Sequence, residues 1–180
     1  MRRLTASLLA LALSVMVAAP ALAASAAQLD RDGAAALEKL YESNEAARLL
    51  GKNARGILVF PNIVKAGFMF GGQLGEGVLR KGGRSTGYYN SVAASYGLQA
   101  GVQAFGYALF FMDNETLASF ESSMGFEIGV GPSIVLVDKG MGKTLTTETI
   151  RKGIYAFIFD QKGVMAGLGI QGSKITRVSK

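Results

Sequence analysis

Among the residues of this sequence, the basic side chains have the type and spacing best suited to binding a ligand, in this case an anionic one. Residues 139–180 hold 8 Lys or Arg against 2 acids, whereas residues 24–138 hold 9 basic and 11 acidic side chains. A basic segment favours anionic partners such as lipid headgroups or nucleic acid, and a solvated basic surface without a ligand has the same pattern. The candidates for contact with a headgroup are Lys139, Lys143, Arg151 and Lys152. Because each such residue contributes about 1 kcal/mol near an anionic surface, this patch predicts reversible, salt-sensitive attachment.

The missing residue types exclude most catalytic chemistry. The 180 residues include no Cys and no His, so the sequence has no thiolate nucleophile, no disulfide, no imidazole base and few ways to bind zinc or iron. The acids Glu76, Glu127 and Asp138 are too scattered along the chain to predict a carboxylate pair or a calcium site. We therefore expect a protein that is not an enzyme and that binds no cofactor and no metal.

Glycine-rich motifs lack the context that their chemistry requires. Residues 83–87 fit G-x-S-x-G, but the serine has no histidine base. Residues 167–172 fit G-x-G-x-x-G, but too little chain follows them to complete a dinucleotide site. The tyrosines that could stack on bases are expected in core strands, so we predict no nucleic-acid partner.

The first residues predict a secretory signal peptide. Arg2 and Arg3 form a basic start, an apolar stretch follows, and residues 21–23 end it with the small-x-small sequence Ala-Leu-Ala. An uncleaved membrane anchor is the alternative, because this stretch is just long enough to span a bilayer. Cleavage near Ala23 or Ala24 would release residues 24–180 to the periplasm or the exterior, where a membrane-peripheral position is compatible with the basic charge.

Two helices are predicted. Residues 25–50 begin with capping-box spacing from Ser25 to Gln28 and carry apolar residues at helical spacing up to the stop at Gly51. Residues 113–122 form one further short helix, with an Asp or Asn as the cap.

The rest of the mature chain has the alternation and short apolar runs of β-strands. The predicted strands are residues 56–60, 67–71, 75–80, 91–99, 125–130, 133–137, 153–159 and 164–170. Residues 160–163 are predicted as the turn between the last two. Glycine within so many strands indicates bends and bulges. We predict an α+β fold: a Gly-rich, strongly curved antiparallel β-sheet, barrel- or sandwich-like, with an N-terminal helix and one further short helix, in a single domain over residues 24–180.

Several ordered motifs of the mature chain resemble one known family. They are GILVFPNIVKAGF at 56–68, GEGVL at 75–79, GLQAGVQ at 97–103, GVGP at 129–132, IYAF at 154–157, KGVMAGL at 162–168 and QGSKI at 171–175. Together they closely resemble the SYLF domain family, also called the Ysc84 actin-binding domain family, over about residues 30–178.

The resemblance implies a lipid-binding module. Eukaryotic relatives bind phosphoinositides and some bind actin, whereas bacterial relatives are secreted lipid-binding proteins. Actin is not expected in the predicted compartment, and the partner that we predict is anionic phospholipid or a membrane surface. Lys65, inside the first motif, is a separate candidate for a single headgroup contact, and a strand-end lysine in solvent is its alternative. The alternative function is an envelope structural or protein-interaction module without a lipid ligand.

Overall fold

The computed structural model of the chain describes residues 23–123, 126–127, 134–137, 152–164 and 173–180. This part contains three helices and a six-stranded sheet. In chain order the elements are α1 Ala26–Ser43, α2 Glu45–Asn53, β1 Gly56–Lys81, β2 Arg84–Phe111, α3 Asn114–Ser122, β3 Phe126–Glu127, β4 Ile134–Leu136, β5 Ile154–Val164 and β6 Lys174–Val178.

Helices α1 and α2 cover one face of the sheet. The side chain of Ser25 accepts a hydrogen bond from the backbone N–H of Gln28 and begins α1. The buried residues of α1 recur at helical spacing, so a single stripe of the helix packs on the sheet. They are Leu29, Gly33, Leu37 and Leu40. Asn44 is both the C-terminal cap of α1 and the N-terminal cap of α2. Its side chain accepts a hydrogen bond of 3.1 Å from the backbone N–H of Ala47.

The framework of the sheet is one long hairpin of β1 and β2. The two strands pair antiparallel from Gly56 opposite Phe111 to Lys81 opposite Arg84. Gly82 and Gly83 form the two-residue turn, with φ of 53° and 80°, a backbone conformation that two-residue hairpin turns need and that glycine adopts without strain.

The remaining strands extend the sheet from the other edge of β2. β6 pairs with the first part of β2, β5 with its last part, and β3 and β4 lie outside β6 and β5, respectively. All of these pairs are antiparallel except β4 with β5, which is parallel. The sheet is a curled half-barrel. Its two long strands run through both parts of the sheet, the part that contains β6 and the part that contains β5.

The curl gives the sheet an inner and an outer face. A Cβ on Gly77 would lie 2.5 Å from a ring carbon of Phe60, so the two ends of β1 pack against each other without a side chain between them. Phe60, Leu79, Tyr107 and Phe111 belong to the inner core, which α3 closes. The outer face forms a second core with α1 and α2.

The predicted fold class is confirmed, and the predicted helix boundaries need correction. The single helix over residues 25–50 is two helices, because Asn44 leaves the helical conformation to cap α2. The stop at Gly51 is also wrong. Helix α2 continues to Asn53, where the N–H of Ala54 bonds to the carbonyl of Leu50 and the Asn53 side chain bonds to the carbonyl of Leu49. The short helix α3 is confirmed, with Asp113 as its cap.

Several predicted strand ends are wrong. Pro61 and Asn62 do not end the first strand, since β1 passes them through a register shift between Phe60 and Ile63. The predicted turn at 160–163 lies within β5 as an irregularity with positive φ at Asp160 and Gly163. Strand β6 was not predicted. Of the strands predicted at 125–130, 133–137 and 164–170, the parts at 125, 128–130, 133 and 165–170 lie outside the described residues.

The predicted signal peptide also lies almost wholly outside the described residues, which begin at residue 23. Among the helices of the described ranges, none combines the length and apolar character needed to cross a bilayer.

Candidate functional site

The buried polar side chains of the described chain gather at one end of the inner face. They are Lys65, Gln73, Ser91, Gln103 and Ser173, here called the inner polar cluster. The β-register places them together: Lys65 is opposite Gln103, and Ser91 is opposite both Gly75 and Ile175 on its two neighbouring strands. Polar side chains are costly to bury, so their concentration at one end of an otherwise aromatic core marks a candidate site.

The two halves of β1 contribute neighbouring members of the cluster. A Cβ on Gly75 would lie 2.6 Å from Cγ1 of Ile63, so these two positions meet across the curl. The part of β1 between Ile63 and Gly75, where the strand curls back on itself, is here called the bend. The next inward-facing positions towards the bend are Lys65, two residues after Ile63, and Gln73, two residues before Gly75. The curl therefore brings a lysine and a glutamine from distant parts of one strand to the same end of the interior.

The bulge at Pro61 and Asn62 is what turns Lys65 inward. Phe60 and Ile63 both face the inner core although they are three residues apart. In a regular strand residues two apart share a face, so without the bulge Lys65 would point outward. Lys65 is only 6% exposed, and the alternative of a solvent-exposed strand-end lysine is wrong.

Polar atoms of the cluster lack hydrogen-bond partners within the described chain. They are Oε1 and Nε2 of Gln73, Oγ of Ser91 and Oε1 of Gln103. A buried polar group without a partner costs about 1–3 kcal/mol of stability. Four such atoms in one place therefore indicate a function that offsets this cost, such as the binding of a ligand. The set contains both donors and acceptors, which means that a ligand satisfying it must also carry both.

Of the basic candidates from the C-terminal segment, the structure describes Lys152, and Lys152 does not form one patch with Lys65. Lys139, Lys143 and Arg151 lie outside the described residues. Lys152 is exposed and lies two residues before Ile154, the first residue of β5, which is opposite Phe111. Lys65 is opposite Gln103, eight residues earlier on β2, which corresponds to roughly 25 Å along the strand.

Lys152 lies instead beside the cap of α3. Asp113 accepts hydrogen bonds of 2.8 Å from the backbone N–H groups of Gly153 and Thr116. These two bonds, with a smaller contribution from the charge of Lys152, lower the pKa of Asp113 below its usual range. The carboxylate here fixes the entry to β5 and the start of α3, which is a structural role.

The tyrosines of the inner face supply no phenolate that could act as a general base at neutral pH. Burial raises the pKa of Tyr107 and of Tyr89, so both phenols stay protonated. Within the described ranges no three Asp or Glu side chains lie close enough together to hold a metal ion.

Sequence reasoning missed four of the five cluster residues. Ser91 is the first residue of a predicted strand, whereas Gln73 and Gln103 lie between predicted strands, so a polar interruption of an apolar strand face was readable only at Ser91. Reading that signal requires knowing which face is inward, and the bulges in β1 change the face within the strand. Ser173 directly precedes β6, a strand that the sequence did not predict.

A second feature lies on the outer face, at the start of α1. An open cleft of about 450 Å³ is lined by Leu29, Asp32, Asn62, Leu74 and Glu76, among others. Glu76 accepts a 2.7 Å hydrogen bond from the backbone N–H of Ala24 and pairs with the side chain of Lys180. This carboxylate therefore joins three distant parts of the chain.

The comparison with known families bears on the half of the chain that supplies Gln103 and Ser173. Residues 92–180 match the Ysc84 family. That family is described as "Las17-binding protein actin regulator". The Ysc84 match covers β2 from Val92 onward and all later elements. Residues 30–91, which belong to the family resemblance seen in the sequence, lie outside the match. A search of curated proteins finds no match to the chain.

Proposed function

We propose that the protein is a non-catalytic module of the bacterial cell envelope that binds anionic phospholipid, with the headgroup in the inner polar cluster. The observation that carries the proposal is the burial of Lys65 beside polar atoms of Gln73, Ser91 and Gln103 that have no partner within the described chain. A lysine is a common point-charge ligand for phosphate, and neutral amides and hydroxyls then orient the group.

The composition of the cluster favours a particular kind of headgroup. Phosphate oxygens only accept hydrogen bonds, so they suit Lys65, the amide nitrogen of Gln73 and the hydroxyl of Ser91. The amide oxygens of Gln73 and Gln103 need donors, which a hydroxylated headgroup supplies. Phosphatidylglycerol offers both a phosphate and hydroxyl groups, and it is therefore the probe that we choose.

The family likeness and the leader support the proposed setting. A match to a family of actin regulators is compatible with a module that binds lipid or actin. The predicted signal peptide at residues 1–23 directs the chain to the periplasm or the exterior, where actin is not expected and phospholipid is abundant. The absence of His and Cys from the sequence supports binding rather than catalysis.

Flotation with lipid vesicles tests the proposal. Residues 24–180 should float with vesicles containing phosphatidylglycerol and remain unbound with vesicles of phosphatidylcholine alone. Lys65→Met should weaken binding at least about tenfold, because a hydrogen bond to a charged group is worth about 1.5–3 kcal/mol. Lys152→Met removes the same charge from an exposed site and is the matched control, expected to change binding little.

Two outcomes contradict the proposal. Equal binding to neutral and anionic vesicles would exclude recognition of the anionic headgroup. A larger loss for Lys152→Met than for Lys65→Met would move the site from the inner polar cluster to the basic surface. Mass spectrometry of the vesicle lipids after incubation tests the non-catalytic part, and we expect their masses to be unchanged.

A protein-interaction module is the second candidate, and exposed apolar side chains favour it. Val64, Leu74, Val92, Val102 and Leu136 are each more than two fifths exposed. Four of the five lie on the outer face of β1 and β2 near the bend, and Leu74 is directly opposite Val92. Light scattering after size exclusion distinguishes the candidates, because self-association through this surface predicts a stable oligomer that Val92→Asp disrupts, whereas the lipid module needs none.

A further inference from the structure

A closed ring of contacts holds the backbone of Ala24. Its N–H donates to Oε2 of Glu76 at 2.7 Å, and its carbonyl accepts from Nζ of Lys180 at 2.8 Å. Lys180 also donates to the other carboxylate oxygen of Glu76. The Lys180 side chain is 9% exposed, so the ring is a packed part of the structure. Both polar backbone groups of one residue near the start of the mature chain are thus bound by side chains 52 and 156 positions away.

We propose that Ala24 is the first residue of the mature protein and that Glu76 is the binding site for its freed α-ammonium group. In the uncleaved chain Glu76 accepts from a neutral amide. Cleavage before Ala24 replaces that amide by a cation at the same position, and a charge-assisted hydrogen bond is roughly twice as strong as a neutral one. The uncleaved chain already holds the nitrogen where the new charge will be needed.

The neighbouring residues explain why the boundary falls before Ala24 and not after it. Ser25 is the N-cap of α1, and its side chain accepts from Gln28. A chain beginning at Ser25 keeps this cap but loses both polar groups of Ala24, which leaves Glu76 and Lys180 without the residue between them. Ala23 is exposed and completes the small-x-small sequence of residues 21–23, so removing everything up to Ala23 leaves the ring intact.

The charges around the cleft fit a bound ammonium. Glu76 receives Lys180 on one oxygen and Ala24 on the other, so the two cations do not compete for one atom. Asp32 lines the same cleft and adds a second negative charge. A free amino terminus at Ala24 therefore adds a cation to a cleft that already holds two carboxylates and one lysine.

The processing part is tested by secreting the full chain, with its leader, from a bacterial host and measuring the intact mass of the product. We expect the mass of residues 24–180. A product that starts at Ser25 or later, or one that keeps the leader, overturns the assignment of Ala24. Because this readout involves no lipid, it is independent of the proposed headgroup site.

The docking part is tested on three forms of residues 24–180: the free amine, the selectively α-N-acetylated protein and Glu76→Gln. Acetylation removes the terminal charge without changing any side chain, and we expect it to lower Tm by about 2–4 °C. Glu76→Gln should lower Tm similarly, and acetylation of that variant should lower it no further. Glu45→Gln, at a carboxylate that is 89% exposed, is the control and should leave the acetylation effect intact. Equal Tm values for the free and acetylated proteins would overturn the docking of the amine.

Discussion

The two ends of the inner face are made by the same strands and have opposite character. At the end that α3 closes, aromatic rings fill the space: Phe120 packs 5.0 Å from Tyr89 and 4.9 Å from Phe111, measured between ring centroids. At the end near the bend, the equivalent inward positions carry Lys65, Gln103 and the rest of the inner polar cluster. The strands continue unbroken from one end to the other.

This difference indicates a division between stability and binding. The aromatic end buries mainly apolar area, which is how a core stabilises a fold, although the hydroxyl of Tyr89 is buried there without a partner within the described chain. The polar end leaves buried amide and hydroxyl atoms without partners within the described chain, a local violation of packing rules that proteins retain at functional sites. Substitutions at the two ends should therefore separate the free energy of unfolding from ligand affinity.

The largest expected effect is on stability at the aromatic end. Phe120→Ala should lower the free energy of unfolding by about 3–5 kcal/mol, because it opens a cavity between rings of the inner core. Urea unfolding measures the change. Ser119→Ala, at an exposed position of the same helix, is the control and should have little effect. A cost for Phe120→Ala below about 1 kcal/mol would mean that this end is not the stabilising one.

The cap of α3 should show a smaller and pH-dependent effect. Asp113→Ala should lower the free energy of unfolding by about 1–2 kcal/mol at pH 7, the usual cost of losing a cap. Since the pKa of Asp113 is lowered in the folded protein, its carboxylate stabilises the fold above the pKa of the unfolded state. That contribution is lost as the pH falls through the folded pKa.

The free energies of unfolding of the Asp113→Ala variant and of the wild type, measured in urea, should therefore begin to converge below about pH 4 and become equal once the pH falls below the lowered pKa of Asp113 in the folded protein. Glu115→Ala changes an exposed acid in the first turn of the same helix, and it should cost only a few tenths of a kcal/mol, about the lower range of a helix-dipole interaction. A difference between wild type and Asp113→Ala that grows towards low pH would contradict the assigned role of the carboxylate.

The smallest expected change in stability is at the polar end. Gln103→Leu replaces an amide with an unpaired Oε1 by an apolar group of similar size, so the free energy of unfolding should stay within about 1 kcal/mol of wild type or rise. Binding to phosphatidylglycerol vesicles should fall in the same variant. Gln161→Leu, on an exposed part of β5, should leave binding unchanged. A strong loss of stability in Gln103→Leu without a loss of binding would make the inner polar cluster a structural network.

Particular residues show which features of the structure could be predicted from the sequence and which could not. The fold class followed from glycine-rich alternating segments, and the cap at Asp113 followed from local spacing, because both depend on nearby residues. The inward direction of Lys65 did not follow, since a bulge at Pro61 and Asn62 decides it. The meeting of Lys65 with Gln73 depends on the curl of β1, which joins positions that no local pattern relates.

The contacts of Glu76 show the same limit. By spacing, this acid has no carboxylate neighbour, and it was given no role. Its partners, Ala24 and Lys180, are 156 positions apart in the sequence, so only the folded sheet brings them together. Local chemistry was readable from the sequence, whereas long-range partners were not.

Native mass spectrometry of the mature protein, purified gently from the periplasm and followed by lipid extraction, tests the central claim most directly. We expect anionic phospholipid at near one per chain in the wild type and in Lys152→Met, and its loss in Lys65→Met. A lipid-free wild-type protein that also fails to take up phosphatidylglycerol, or equal occupancy in wild type and Lys65→Met, would contradict binding of the headgroup in the inner polar cluster.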